Sequence, residues 1–373
     1  MLADWFEPGY KAGGPIRSCV NFVRQMKDKY HLSVLTTDRD LDAEAPYEGV
    51  TTDKWIEFEL GIDILYCSPQ NLSWKYILRQ IKSRQPDFIY LNSMYSRYFT
   101  IYPLLMRRLG YISQPVVLSP RGMLRESALR FRKTKKKIFL NLLRFCGIHK
   151  LVRFHATDAT EQQDVYLHFG KNVSVTLAPN FAGAVGPYPG AAVKKEKQLS
   201  IIFIGRIHPI KNLDYLLELL PQVDGHLVLT IVGSEEDKDY TSRCKNMVAA
   251  YPPRIEVRFT GEIPNHQLPE LIRQHHIFAL PTSGENFGHA IFESLALGKP
   301  VVISDQTPWR NLAASKAGWD IALASKSEFI NALQQACDFN QQQYDEWSYG
   351  AWQHAANFAA QPDVKQLYYK LFQ

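Results

Sequence analysis

The chain has 373 residues, of which 46% are apolar, 21% charged and 12% aromatic. That composition excludes a largely disordered or collagen-like protein, and the length favours two domains over one core. Net charge is +6, and no apolar run approaches the roughly 18 residues that a membrane-spanning helix needs.

MLADWFEPGYK at the start lacks a signal peptide's basic flank and long apolar run, and only MLADWF, a short first strand, precedes a glycine-bearing loop. Thereafter short β-rich runs at 32–37, 62–66, 88–92, 116–119 and 173–178 alternate with helix-like stretches at 16–30, 74–84, 98–109, 135–146 and 159–169. Such alternation predicts βαβ units on a mostly parallel sheet. Residues 183–197, rich in Gly, Pro and Ala, read as a linker between domains 1–182 and 198–340. Alternation resumes with strands at 199–204, 227–232, 255–259, 277–280 and 301–304. Helices are expected at 213–220, 237–251, 267–273 and 289–297. The tail, 341–373, is predicted helical, broken near Pro362, and is expected to pack toward the first domain. Two open α/β sheets are expected to leave a ligand cleft at the carboxyl ends of their strands. Cys19, Cys67, Cys146, Cys244 and Cys337 are scattered, without a C-x-x-C pair. They read as buried thiols in a reducing cytoplasm.

Two segments of the second domain carry chemistry. Strand LSIIFI runs into Gly205-Arg206-Ile207-His208-Pro209-Ile210-Lys211-Asn212. Gly205 permits a sharp turn off the strand, and Asn212 is a candidate helix N-cap. Arg206 and Lys211 suit a diphosphate, as fork and point charge; two solvated loop cations are the plainer alternative. Strand HIFALP then leads into Thr282-Ser283-Gly284-Glu285-Asn286-Phe287-Gly288-His289 and the helix AIFESLALG. Free amides at the start of that helix make an anion site. Glu285 and Glu293 stand eight residues apart, roughly 12 Å if most of the segment is helical. That is the reach from a nucleotide's ribose to the far side of its sugar. Glu285 alone fits a dipole-favoured acid at a helix start; that alternative leaves Glu293, in an otherwise apolar helix, unexplained.

GRIHPIKNLDYLLELL followed by SGENFGHAIFESLALGKPVV resembles the GT-B-fold glycosyltransferases of family GT4, the E-x7-E retaining class. GYKAGGPIRSCVNFV and SPRGML also look like that family, in particular its bacterial surface-polysaccharide transferases. The resemblance implies two Rossmann-like α/β domains facing across a cleft, with a C-terminal helical tail. It implies a nucleotide-sugar donor and no cofactor or metal. Arg206 and Lys211 would neutralise the donor diphosphate and the departing nucleoside diphosphate. Glu285 would bind donor-sugar hydroxyls and Glu293 the ribose. Amides of Asn286, Phe287 and Gly288 would line sugar and phosphates, with Gly13 and Gly14 bringing amides from the other domain. Retention in this family is assigned to front-face attack by the acceptor hydroxyl, so no general base is nominated; a covalent role for Glu285 is the alternative. Many relatives carry a His where this chain has Pro120-Arg121-Gly122, which leaves Arg121 as either a phosphate contact or a surface cation.

Asn92, Ser93 and Arg121 are expected to face the acceptor, a glycan or lipid-linked glycan. From Arg121 to Arg153 there are eleven Lys/Arg and one acid, Glu126. Residues 125–148, a basic stretch joined to IFLNLLRFCGI, suit either the inner face of an anionic membrane or a core-facing helix with a solvated basic flank. The location expected is cytoplasmic, peripheral to the membrane. A sugar-nucleotide epimerase or phosphorylase on the same plan is the alternative function. A nucleic-acid-binding protein is a remote one, because no recognition motif accompanies the basic residues. Nor does G-x-G-x-x-G follow a first strand, as a Rossmann dehydrogenase requires.

Overall fold

A computed structural model describes residues 1–130, 133–361 and 363–373, with the side chains of Ser127, Arg130 and Lys133 excepted. The helix break expected at Pro362 and the cation Arg132 lie outside the described residues. The chain divides into two compact units, Met1–Phe181 with Pro362–Gln373, and Ala182–Gln361.

The first unit holds β1 (Leu32–Thr37), β2 (Trp55–Glu59), β3 (Ile62–Cys67), β4 (Ile89–Leu91), β5 (Val116–Leu118), β6 (Val152–Ala156) and β7 (Val175–Leu177). They run in the orders β1-β3-β2 and β4-β5-β6-β7, parallel except for the β2–β3 hairpin. The short N-terminal segment joins the two sets, because Leu2 bridges Leu35 of β1 and Leu91 of β4. β2 and β6 were not expected from sequence. β2 is a short edge strand, and β6 (VRFHA) alternates polar with apolar residues.

The second unit holds β8 (Gln198–Ile204), β9 (His226–Val232), β10 (Ile255–Gly261), β11 (Ile277–Leu280), β12 (Val301–Ser304) and β13 (Gly318–Ile321). They form a six-stranded sheet in the order β10-β9-β8-β11-β12-β13, parallel throughout. This is the doubly wound order in which the connections change direction between the two central strands. β8 and β11 are those neighbours, so the loops after them, 205–212 and 281–288, leave the sheet at the switch point. Buried strands such as β8 and β12 read as near-continuous apolar runs because helices cover both faces.

Two boundaries differ from expectation. The 183–197 stretch is fastened to the second unit: Trp352 Nε1 donates to Gly186 O at 3.0 Å, and the buried Lys194 ammonium donates to the carbonyls of Lys195, Cys337 and Phe339. The expected tail is divided. Helix Gln341–Ala359 packs on the second unit, where Ser348 Oγ donates to Gly298 O at 2.7 Å. A Cβ at Gly350 would come within 2.5 Å of Ser315 O, so a small residue permits that approach. Helix Asp363–Leu371 packs in the first unit, stacking Tyr368 on Phe181 with centroids 4.2 Å apart.

Candidate active site

The ends of β8, β9 and β10 are each marked by a glycine, and their backbones interlock. Gly205 N donates to Val232 O, and Gly233 N to Gly261 O, both at 2.9 Å. A Cβ on Gly233, whose φ is +150°, would lie 2.0 Å from Gly205 O. Gly233 is therefore the glycine that the turn demands. Gly205, expected to be that residue, has an ordinary φ, and a Cβ there would meet only the Lys211 side-chain stem at 3.8 Å. Its small size lets the lysine lie across the strand end.

The loop after β8 forms a short 3-10 turn, Pro209–Lys211, capped by His208 Nδ1, which accepts from Ile210 N at 3.2 Å. Asn212 does not cap the next helix with its side chain as expected. Its amide donates to Pro281 O at 2.9 Å and Ser283 Oγ at 3.0 Å. Thr282 Oγ1 and Ser283 N both donate to Ile210 O, so the two switch-point loops are stitched together. That stitching delivers the Lys211 ammonium to Glu285 Oε1 as a largely buried ion pair, each side chain retaining about one-sixth of its exposure.

Glu285 N donates to Gln306 O at 3.0 Å, fixing the loop. Gly288 then opens helix His289–Ala296 with φ +76°, a left-handed turn suited to glycine. Because the helix begins only at His289, the spacing between Glu285 and Glu293 is part loop and part helix. Phe287 is buried against Phe292, Trp309 and Phe358, and Trp309 Nε1 donates to its carbonyl at 2.6 Å. The amides of Asn286, Phe287 and Gly288 donate to no protein acceptor among the described residues. Glu293 is partly exposed, while its neighbours Phe292 and Ser294 are buried. Arg206 pairs with a different acid. Its Nη1 donates to Glu236 Oε2 at 2.7 Å, with nearly half of each side chain exposed.

Residues 188–351 match the profile of the family Glycosyl transferases group 1. This region is similar to the group 1 glycosyltransferase domains. Both switch-point loops lie inside it. A phosphatidyl-myo-inositol mannosyltransferase of Mycobacterium leprae is 28% identical over 172 residues, 44% of this chain and 42% of that protein. The chain spans between 26% and 42% of the length of the first curated relatives it matches. Likeness in fold extends over the whole chain. Anabaena HepE, solved with UDP and glucose, superimposes with a TM-score of 0.69 at 15% identity, covering 99% of this chain and 96% of that one. WaaG, a glycosyltransferase involved in lipopolysaccharide biosynthesis, gives 0.64 at 14% identity, covering 100% and 97%. The fold is GT-B, built of two Rossmann-like α/β units with helices at the C-terminus, and the residues that match the group 1 profile lie in the second.

The first-unit candidates have partners within that unit. Gly13 caps helix Gly14–Met26 with φ +64°, and its N donates to Tyr10 O at 2.9 Å. Asp40 Oδ2 accepts from Tyr10 N at 2.7 Å and Lys11 N at 3.1 Å, a support for this loop with no signature in sequence. Arg121 is not a solvated surface cation. Left-handed turns at Arg121 and Gly122 (φ +54° and +74°) accompany an inward-turned guanidinium. Its nitrogens donate to Asn92 Oδ1, Asn180 Oδ1 and, at 3.0 Å, Tyr90 OH. Tyr90 OH also meets His155 Nδ1 at 2.7 Å, and His155 Nε2 lies 2.7 Å from Ala178 O. Burial, with the Arg121 charge beside it, lowers the His155 pKa to about 3 despite the Ala178 carbonyl. The Asn92 amide oxygen is thus engaged by Arg121, and Ser93 is buried with its hydroxyl 3.7 Å from Met123 Sδ. These three side chains brace the carboxyl edge of the first sheet.

Proposed function

We propose that the chain is a retaining, metal-independent glycosyltransferase that moves a sugar from a nucleoside-diphosphate sugar to an acceptor hydroxyl. The observation that carries this reading is the Lys211–Glu285 pair at the switch point, beside the free amides of Asn286, Phe287 and Gly288. Those amides and the Lys211 ammonium suit the diphosphate and its developing negative charge as the sugar departs. The Arg206–Glu236 pair is exposed and worth at most about 1 kcal/mol. Arg206 therefore exchanges a carboxylate for a diphosphate at little cost, and a phosphate matches its fork equally well. Glu285, oriented by Lys211, accepts from donor-sugar hydroxyls; Glu293, one turn into the helix, serves the ribose. With two cations and a helix N-terminus for the leaving group, no metal is required, and the acceptor hydroxyl attacks from the side the nucleotide leaves.

The crystallised complexes of Anabaena HepE with UDP and with UDP-glucose support a nucleotide-sugar donor. The likeness to WaaG supports a role in bacterial surface polysaccharide, with a glycan or lipid-linked glycan acceptor met at the cytoplasmic face of the membrane.

The test is thermal unfolding with UDP-, GDP- and ADP-sugars in excess EDTA. A cognate donor at a hundredfold its Kd stabilises by about 2.7 kcal/mol. The shift is expected to shrink in both Arg206→Ala and Lys211→Ala. A shift that needs a divalent cation, or that survives both substitutions, contradicts the proposal.

A further inference from the structure

Helix Lys133–Phe145 is apolar on two sides. Its inner side serves the first unit's core, where Leu140 and Leu143 are buried and the Phe139 ring meets Tyr95 edge-on at 5.5 Å. Its outer side exposes Ile138 (62%), Leu142 (54%) and Phe145 (91%). At 3.6 residues per turn these three fall within an arc of roughly 60°. The exposed cations Lys135, Lys137 and Arg144 flank that arc on both edges. A second segment extends the surface. Helix Tyr102–Arg108 ends beside this one, with Arg108 Nε donating to Cys146 O at 2.8 Å, and the residues after it, Leu109 and Tyr111, are 64% and 50% exposed.

Scattered exposed apolar residues need no explanation, but a contiguous group rimmed by charge marks an interaction surface. A solvated basic flank accounts for the lysines and not for Phe145. A nucleic acid accounts for the cations and leaves the aliphatic arc in water. A second copy of the chain brings like charges face to face. An anionic bilayer accommodates both, with acyl chains for the arc and headgroups for its rim. Among the described residues no helix is long and apolar enough to cross a membrane, so the contact is interfacial.

We propose that this surface docks the protein on an anionic lipid bilayer, with Ile138, Leu142 and Phe145 entering the acyl boundary and Lys135, Lys137 and Arg144 at the headgroups. The surface is separate from the Lys211–Glu285 chemistry and stands or falls independently of it.

The test is co-sedimentation of the full chain with vesicles of phosphatidylcholine alone or mixed with phosphatidylglycerol. Partitioning to the mixed vesicles is expected to exceed that to the neutral ones by tenfold or more. The triple variant I138N/L142N/F145S is expected to lose at least tenfold. K135E/K137E/R144E is expected to lose at least about a hundredfold, since each cation lost near the headgroups removes about a factor of five and each added carboxylate is repelled. Both variants should keep the wild-type unfolding temperature and the donor-induced thermal shift. The proposal is overturned if the wild type ignores both vesicles, or if either variant binds them as the wild type does. It is also overturned if the apolar triple variant instead converts a dimer to a monomer in sedimentation velocity.

Discussion

Gly233→Ala and Gly205→Ala look alike on paper and should behave in opposite ways. At position 233 a Cβ would lie 2.0 Å from Gly205 O and 2.6 Å from Gly205 C, both backbone atoms that cannot rotate aside, at a φ of +150°. Sparsely populated backbone conformations cost of order 1–3 kcal/mol each, and relieving the overlap means parting the ends of β8 and β9. A total near 3 kcal/mol is expected, a large share of the roughly 5–15 kcal/mol that holds a domain together. For a unit of this size that corresponds to a fall of roughly 6–12 °C in Tm. At 205 the added Cβ meets only the Lys211 stem, at 3.8 Å, and stability should change by less than about 0.5 kcal/mol. Differential scanning calorimetry of both variants reads the contrast. Because Gly205 leads directly into Arg206, Gly233→Ala should also weaken donor binding. Equal stability of the two variants would refute the interlocked strand ends as the support of the site.

Replacing Arg121 by Met should destabilise the first unit by about 3 kcal/mol or more, because the oxygens of Asn92 and Asn180 lose their donor. It should leave nucleotide affinity in the second unit unchanged; calorimetry of unfolding and of binding separates the two effects. His155 gives a pH prediction. Its folded pKa is about 3 against about 6.5 in the unfolded chain, so the unfolded state binds the extra proton first. Stability from this group is complete above pH 6.5 and is lost as pH falls from 6.5 toward 3. In His155→Gln, urea titrations between pH 7 and pH 5 should show a shallower loss than in the wild type.

Much of the second unit was readable from sequence because strands such as β8, β11 and β12 are buried on both faces and appear as unbroken apolar runs. β13 escaped because GWDI is a short edge strand. β6 escaped because VRFHA carries His155, whose burial makes sense only once Tyr90, from a different strand, is placed against it. The alternation of strands and helices put Lys211 and Glu285 in loops at strand ends, but it could not reveal that these loops, 74 residues apart, meet in an ion pair. Glu236, 30 residues from Arg206, sets where that guanidinium lies. Gly233 is constrained by a carbonyl 28 positions earlier, not by its own turn. Arg121 sits in a basic stretch that leaves it either a phosphate contact or a surface cation, and its partners Asn92 and Asn180, 29 and 59 residues away, draw it inward.

The most direct measurement is turnover of Glu285→Gln with a donor that stabilises the wild type and an acceptor that the wild type glycosylates. Glutamine keeps the size and an oxygen for Lys211 but loses the charge that orients the sugar hydroxyls. Turnover should fall by about a hundredfold or more, with the fold and nucleoside-diphosphate affinity retained. Transfer at a rate close to wild type would contradict a catalytic site centred on Lys211 and Glu285.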